Sequence, residues 1–381
     1  MTIQTKCLHT DDSNGPCNHY GAVSFPIYQT ATYAHPGVGD STGFDYSRLQ
    51  NPTREHLEKV VCNLESGVDA LALSSGMAAI SLVFELFSPG DNIIAESDLY
   101  GGSIRLFDNV SKKNGLSFTR VNCSKDHLEP LITPQTRAIY IETPTNPMMN
   151  ITDIKKTSEL AHKHNLLLIV DNTFMSPYFQ NPLLFGADIV IHSGTKYLSG
   201  HNDTLSGFIV TNNKEISERL RFLIKTTGAG LSPFDSWLTL RGIKTLAIRM
   251  EQAQKNAFAI VEYLKTQGSV TNVIYPGLPE HPGYEIQKNQ ARGFGAMVTF
   301  NVKDEETAKK ILSSVRLIQF AESLGGVESL ITYPVTQTHA DVPQDIRLKN
   351  GITNTTLRLS VGIEDAKDLI KDLDNAINKK D

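Results

Sequence analysis

Lys196 is the residue whose type and setting most clearly permit chemistry. It follows the apolar run 187–191 (ADIVI) within His192-Ser193-Gly194-Thr195-Lys196-Tyr197, among hydroxyls and with no carboxylate or second lysine beside it. A free lysine has a pKa near ~10.4 and attacks carbonyls poorly at neutral pH; desolvation or nearby positive charge lowers it. A lysine so lowered can hold an aldehyde as a Schiff base. Asp171 directly follows the aliphatic run 166–170 (LLLIV), which predicts a desolvated carboxylate in need of a partner. Ser75-Gly76-Met77 lies between a strand-like and a helical stretch, where glycine lets an anion approach backbone N–H groups at the positive end of the helix.

Taken singly, each feature has a plainer reading: a lysine snorkelling at a sheet edge, a structural salt bridge, a tight turn. Their combination is less ordinary. An anion cradle, a buried carboxylate and a strand-end lysine are what pyridoxal phosphate requires for its phosphate, its pyridine nitrogen and its aldehyde. An aromatic such as Tyr100 suits the ring face.

The elements that must position these residues show as an alternation. Strand-like runs occupy 69–74 (DALALS), 92–96 (NIIAE), 138–142 (AIYIE), 166–170 and 187–191, with helical spacing over 76–87 and again from Ser103. Short apolar strands separated by helices predict an α/β fold with a mostly parallel sheet covered on both faces, and ligands then collect at the carboxyl ends of the strands. Ser75, Tyr100, Asn146, Asp171 and Lys196 all follow such runs. After about residue 250 the texture changes, which predicts a smaller α+β domain ending in an amphipathic helix near 364–377. The expected organisation is an extended arm over 1–50 that contacts a neighbouring subunit, a large cofactor-binding domain over 51–245 and a small domain over 246–381.

With those residues in view, the chain resembles the Cys/Met-metabolism family of pyridoxal-phosphate enzymes. The resemblance rests on Tyr46-Ser47-Arg48 with Asn51-Pro52-Thr53-Arg54, Ser74 to Ala79, Tyr100-Gly101-Gly102, Glu142 to Pro147, Val170 to Phe174, His192 to Tyr197, Glu322 to Gly326 and Leu357 to Gly362, in the family's order and spacing. It implies the type I fold of pyridoxal-phosphate-dependent transferases. It implies that Lys196 bonds the cofactor aldehyde and Asp171 pairs with the pyridine nitrogen. Gly76, Met77, Ser193 and Thr195 would hold the phosphate, with Asn146 also at the cofactor. Tyr46 and Arg48 would reach the phosphate from a neighbouring chain. Tyr100 would stack on the ring and help with proton transfer. Arg358 would clamp the substrate α-carboxylate, aided by Ser323 and Asn146. Asp45, Arg105 and Glu322 would add charges at the mouth, suited to a zwitterionic distal end. A homotetramer built as a dimer of dimers with shared active sites is also implied.

The reaction this implies starts with loss of the Cα proton to Lys196. A second proton leaves Cβ, and the γ-substituent is expelled. The product then either accepts a thiol at Cγ or collapses to a 2-oxo acid and ammonia. Gly102 stands where the methionine-degrading branch usually has cysteine, and Leu324 where the β-lyase branch tends to have tryptophan. The stretches 41–46, 200–203 and 331–339 resemble bacterial cystathionine γ-synthases. The expected activity is therefore γ-replacement of an O-acylhomoserine by cysteine, with sulfhydrylase activity alongside. Cystathionine γ-lyase is the alternative, and a catalytically retired cofactor-binding regulator a distant third.

Composition narrows the partners. The chain has 381 residues, with 36 Lys plus Arg against 41 Asp plus Glu, so 36 − 41 gives a formal charge of −5. A mildly acidic chain without a basic block is a poor candidate for nucleic acid or an anionic membrane. No apolar run approaches the ~18 residues of a membrane span. With no secretory signal visible, the expected setting is cytoplasmic. Cys7, Cys17, Cys62 and Cys123 are too few and scattered for a disulfide framework, and no C-x-x-C or H-E-x-x-H occurs, so no metal is expected. His162 and His164, two apart on a polar helix, do not share a face and read as solvated. Gly39-Asp40-Ser41-Thr42-Gly43 matches the hydrolase elbow, but a His-Pro-Gly loop stands where its strand belongs; Ser193-x-x-Lys196 lacks the partner motifs of penicillin-recognising enzymes. Small amino-acid substrates remain the expected partners.

Overall fold

Asn51 starts the first long helix for local reasons. Its side chain accepts from the N–H groups of Thr53 and Arg54, and Pro52 takes the first helical position, where a missing N–H costs nothing. The helix Pro52–Glu65 stops at Ser66, which turns left-handed, and hands the chain to the first strand. The structure is a computed structural model that describes residues 1–9 and 20–378.

Seven strands form the main sheet: β1 (Asp69–Leu73), β2 (Asn92–Glu96), β3 (Ser117–Val121), β4 (Thr136–Glu142), β5 (Leu167–Asp171), β6 (Ile189–Ser193) and β7 (Gly207–Thr211). Their order is β1-β7-β6-β5-β4-β2-β3, and β7 alone runs against its neighbours. The sheet is therefore mostly parallel, as the alternation predicts. Side chains along each strand point to opposite faces. On β5, Leu168 and Val170 join one apolar core, with the helices Pro52–Glu65 and Pro233–Ile243, while Ile169 joins the other, with the helix Gly76–Phe84. Both faces are covered, which is why these strands read as unbroken apolar runs.

A smaller sheet follows: β8 (Val270–Ile274), β9 (Met297–Val302), β10 (Gln319–Phe320), β11 (Leu330–Thr332) and β12 (Thr356–Ser360), in the order β10-β11-β12-β9-β8. Only β10 and β11 are parallel. The helix Leu246–Lys265 ties the two sheets, with Met250 in the first core and Ala253, Ala257 and Ile260 in the core beneath the second sheet. The last helix, Ala366–Asn378, packs Leu369, Leu373 and Ala376 into that second core. Among the described residues, no helix is long and apolar enough to cross a membrane.

The N-terminal segment differs in part from an extended arm. Residues 3–6 form a helical turn and Cys7 is buried in the main core. Residues 20–50 have no helix and only an isolated bridge between Thr32 and Tyr46, and Gly39–Gly43 lies in that stretch with neither a strand before it nor a helix after it. Residues 10–19, which include Cys17 and part of the expected arm, lie outside the described residues. Cys7, Cys62 and Cys123 are free thiols. His162 meets Asp188 at 3.1 Å and His164 meets Glu129 at 3.0 Å, so both rings are partnered by carboxylates as well as by solvent.

Candidate active site

A cavity of about 340 Å³ opens at the carboxyl ends of the central strands. It collects Gly76, Met77, Tyr100, Asn146, Asp171 and Lys196 around its floor. Ser193 and Thr195 stand on the β6 side, and Glu322, Ser323 and Arg358 reach in from the smaller sheet. Ser75 and Arg358, 358 − 75 = 283 positions apart in the chain, thus line one cavity.

The anion cradle has a steric cause. Ser75 caps the helix Gly76–Phe84, its hydroxyl accepting from the Ala78 N–H. The N–H groups of Gly76 and Met77 fall in the first turn, where a helix has no partners of its own. A Cβ on Gly76 would stand 2.7 Å from the Ser193 Cβ, so only glycine admits β6 this close. Thr195 fixes the loop after β6 by exchanging hydrogen bonds with the Ser206 backbone at 3.1 and 3.2 Å.

Asp171 ends β5 with its Oδ1 accepting the Thr173 N–H at 3.0 Å. Among the described residues no lysine or arginine pairs with it. Burial pushes its pKa up; hydrogen bonds from Thr173 and the nearby His192 ring pull the other way. A cationic N–H placed against it would supply the missing partner. His192 is itself held by Glu65 at 2.6 Å on the sheet's other side.

Lys196 Nζ donates to Ser323 Oγ at 2.8 Å. Burial, then the charge of Arg358, lowers its pKa to about 8, with Glu322 opposing. Arg358 is almost fully buried. Its Nη1 donates to Asn146 Oδ1 at 2.8 Å and its Nη2 to the Ser323 carbonyl at 2.9 Å and Thr332 Oγ1 at 3.0 Å. Its Nε has no partner, and no carboxylate pairs with it among the described residues. Burial pulls its pKa down to about 10. A desolvated guanidinium with neutral partners and an orphaned N–H is prepared for a carboxylate.

Tyr100 lies before the helix Gly101–Leu106 and is partly exposed, its N–H donating to Glu142 Oε2 at 3.1 Å. Glu142 is buried beside Asp171 in the β4–β5 register, and burial, then that neighbouring carboxylate, raises its pKa well above the ordinary range. A Cβ on Gly102 would stand 2.4 Å from the Tyr100 ring, so a side chain there would displace the ring.

The donor set fits pyridoxal phosphate: free first-turn N–H groups for a phosphate, an unpaired buried carboxylate for a pyridinium, a low-pKa amine for an aldehyde.

Four predicted residues lie outside this cavity. Arg48 donates to the Lys225 carbonyl and stacks its guanidinium 5.5 Å from the Tyr46 ring centre. Asp45 accepts from Ser41 at 2.8 Å and faces His35. Arg105 is engaged with Asp341 at 2.6 Å on the surface. Within one chain, therefore, Tyr46, Arg48, Asp45 and Arg105 do not touch the site. Thr173, Leu205 and Thr338 do line it, yet went unassigned. Thr173 could have been found from its position two residues beyond Asp171.

The Cys/Met metabolism PLP-dependent enzyme family model matches residues 4–378. The chain belongs to that family. Cystathionine γ-lyase of Bacillus subtilis is 50% identical over 94% of each chain, and cystathionine γ-synthase of Haemophilus influenzae 50% over 93% of this chain and 92% of the relative. Cystathionine β-lyase of Lactococcus lactis subsp. cremoris is 47% identical over 100% of both. The structure of cystathionine γ-synthase from Xanthomonas oryzae pv. oryzae in complex with cystathionine superimposes with a TM-score of 0.96 at 39% identity, covering 99% of this chain and 98% of the other. As a family member, the chain is a pyridoxal-phosphate-dependent enzyme of the trans-sulfuration type.

Proposed function

We propose that this enzyme is a cystathionine γ-synthase, joining an O-acyl-L-homoserine to L-cysteine, with O-acetylhomoserine sulfhydrylation as a related activity. The observation that carries a reaction at substrate carbon is Lys196: a buried amine of lowered pKa between an unpaired carboxylate, Asp171, and an unpaired guanidinium, Arg358. Leu324, buried against the cavity where tryptophan marks the β-lyase branch, supports a reaction at Cγ, and the stretches 41–46, 200–203 and 331–339 favour the synthase.

Pyridoxal phosphate, when bound, supplies the electron sink for the pair left by a broken Cα–H bond. In this reading, the Gly76 and Met77 N–H groups with Ser193 and Thr195 receive its phosphate. Asp171 accepts from its ring nitrogen, and Tyr100 covers the ring. Arg358 binds the substrate α-carboxylate, which sets the Cα–H toward Lys196 Nζ. Lys196 takes that proton and, once it has given it up and is neutral again, would take a second from Cβ, while Ser323 holds the amine in place between transfers. Lys196, partly unprotonated near neutral pH, is matched to this work.

Tyr46 and Arg48, absent from their own cavity, are assigned to the site of a second copy, in a dimer of dimers. The 50% identity to a named γ-lyase keeps a second reading, elimination from cystathionine. The deciding assay gives cofactor-loaded protein O-acetyl- and O-succinylhomoserine with and without cysteine, beside cystathionine alone. Cystathionine from ester plus cysteine, with little 2-oxobutanoate from cystathionine, is the expected result. Rapid 2-oxobutanoate and cysteine from cystathionine would establish the lyase instead.

A further inference from the structure

The stretch 331–339, singled out in the sequence, ends in two residues that pack against the turn carrying Tyr100. His339 is 1% exposed; its Nε2 lies 3.1 Å from the Leu99 carbonyl and its Nδ1 lies 2.9 Å from Thr338 Oγ1. Thr338 is half-buried and lines the active-site cavity, and its own carbonyl stands 2.1 Å from where a Cβ on Gly101 would lie. That contact fixes the segment against the helix Gly101–Leu106.

These distances, together with the ring's charge state, fix the hydrogens. A carbonyl oxygen can only accept, so Nε2 carries a hydrogen toward Leu99. Burial, and secondarily the charge of Arg358, pushes the ring pKa down to about 4, although the Leu99 and Asn146 carbonyls that face it favour a proton. The ring is therefore neutral with a single hydrogen, and Nδ1 presents a lone pair. Thr338 Oγ1, 2.9 Å away, must donate to it. With its one hydrogen committed, the hydroxyl has only lone pairs left to offer the cavity.

We propose that Thr338 is a substrate-binding acceptor oriented by His339, and that it takes an N–H of the ammonium group at the far end of an amino-acid thiol or thioether. His339 is the positioning residue. The cations of the cavity support this polarity, since Lys196 is bonded to Ser323 and Arg358 to Asn146, Ser323 and Thr332. Glu322 lines the same cavity; its charge acts on Lys196 and Arg358, but it makes no direct salt bridge among the described residues. A hydroxyl with only lone pairs to offer and a carboxylate in the same cavity suit an ammonium group. The inference rests on the trans-sulfuration substrates proposed above and adds the residue pair that reads their distal amine.

The test compares, for cofactor-loaded enzyme, kcat/KM for cysteine as acceptor against 3-mercaptopropionate, and kcat/KM for cystathionine against its analogue lacking the distal amine. The ratio within each variant cancels general damage to the fold or to cofactor binding. Native enzyme favours the amino compounds. Thr338→Val and His339→Leu shrink that preference about tenfold, the scale of one hydrogen bond to a charged group, while Thr338→Ser keeps it. A preference unchanged in Thr338→Val overturns the assignment, and this exposed-side variant remains informative where His339→Leu does not fold. Native enzyme that turns over none of these substrates overturns the proposed function, and this inference with it. Turnover with an unaltered preference overturns the inference alone.

Discussion

Ser323 holds Lys196 from above the cavity: the lysine ammonium donates to the serine hydroxyl at 2.8 Å, while the serine carbonyl accepts from Arg358 at 2.9 Å. One residue therefore sets the spacing between the amine that moves protons and the guanidinium that binds carboxylate. Ser323 does so with a φ of +87°, a region that non-glycine residues enter only under constraint. Replacing its hydroxyl removes the lysine's tether and leaves the backbone contact to Arg358. Ser323→Ala is expected to lower kcat about tenfold or more, with a smaller change in cofactor affinity. Steady-state kinetics beside a cofactor titration separate the two. Equal losses in both would show that the hydroxyl serves cofactor binding instead.

The lowered pKa of Lys196 has a consequence for the cofactor-free protein. Its ordinary value is 10.5 and its folded value about 8, so between these the unfolded chain binds the extra proton. Stability from this group is therefore reduced below pH 8 and recovers as pH rises from about 8 toward 10.5. Removing the amine, as in Lys196→Met, is expected to raise the unfolding free energy near pH 7 by roughly 3 kcal/mol at most. That advantage fades as pH rises to 10. Denaturant unfolding of both proteins across this range measures it, and a pH-independent difference would contradict the assigned pKa.

Gly76 offers a purely steric prediction. An alanine Cβ would meet the Ser193 Cβ and Cα at 2.7 and 2.9 Å, at the point where two elements converge on the anion cradle. Neither neighbour is a flexible side-chain end, so the loop after β6 must shift. Gly76→Ala is expected to weaken pyridoxal-phosphate binding by at least about tenfold while leaving far-ultraviolet circular dichroism unchanged, since the helix itself favours alanine over glycine. Fluorescence titration with the cofactor gives the affinity directly.

Much of the site was legible because the sheet is buried on both faces. Such strands are short apolar runs, and the first polar residues past each run mark its carboxyl end, as with Asp171 after 166–170 and His192-Ser193 after 187–191. Two strands escaped this logic. β3 is an edge strand whose residues Ser117–Val121 are all at least partly exposed, so it lacks the apolar signature. β7 is apolar, but its direction is set by a tight return from β6 rather than by a helical crossover, and pattern alone does not reveal it. Thr338 and Glu142 depended on tertiary placement: nothing local says that residue 338 will reach a turn at residue 101. Arg105 and Asp45 show the converse, charges near the site in family order whose side chains meet Asp341 and Ser41 in this chain.

Arg358 is engaged by neutral groups on both terminal nitrogens and by none on Nε. A lysine would keep the charge and lose the planar fork that meets Asn146, Ser323 and a carboxylate together. Arg358→Lys is expected to raise KM for every amino-acid substrate about tenfold or more, with cofactor affinity little changed. A change confined to kcat would argue that the guanidinium acts elsewhere than on the α-carboxylate.

Tyr46 and Arg48 give the most direct test of shared sites. In their own chain they stand apart from the cavity, with Arg48 bonded to the Lys225 carbonyl and packed on the Tyr46 ring. If each completes a neighbour's phosphate site, Arg48→Ala and Lys196→Ala damage different halves of one composite site. Each variant alone is then expected to be nearly inactive. When the two are unfolded together and refolded as a mixture, a mixed dimer has one site carrying both lesions and one carrying neither. With random pairing in symmetric dimers, half the dimers are mixed and each has one intact site of two, so about a quarter of native activity returns. Sites built wholly within one chain allow no intact site in any pairing, and mixing would then restore nothing. The amount of activity recovered therefore decides between a shared and a self-contained active site without reference to the assembly's size.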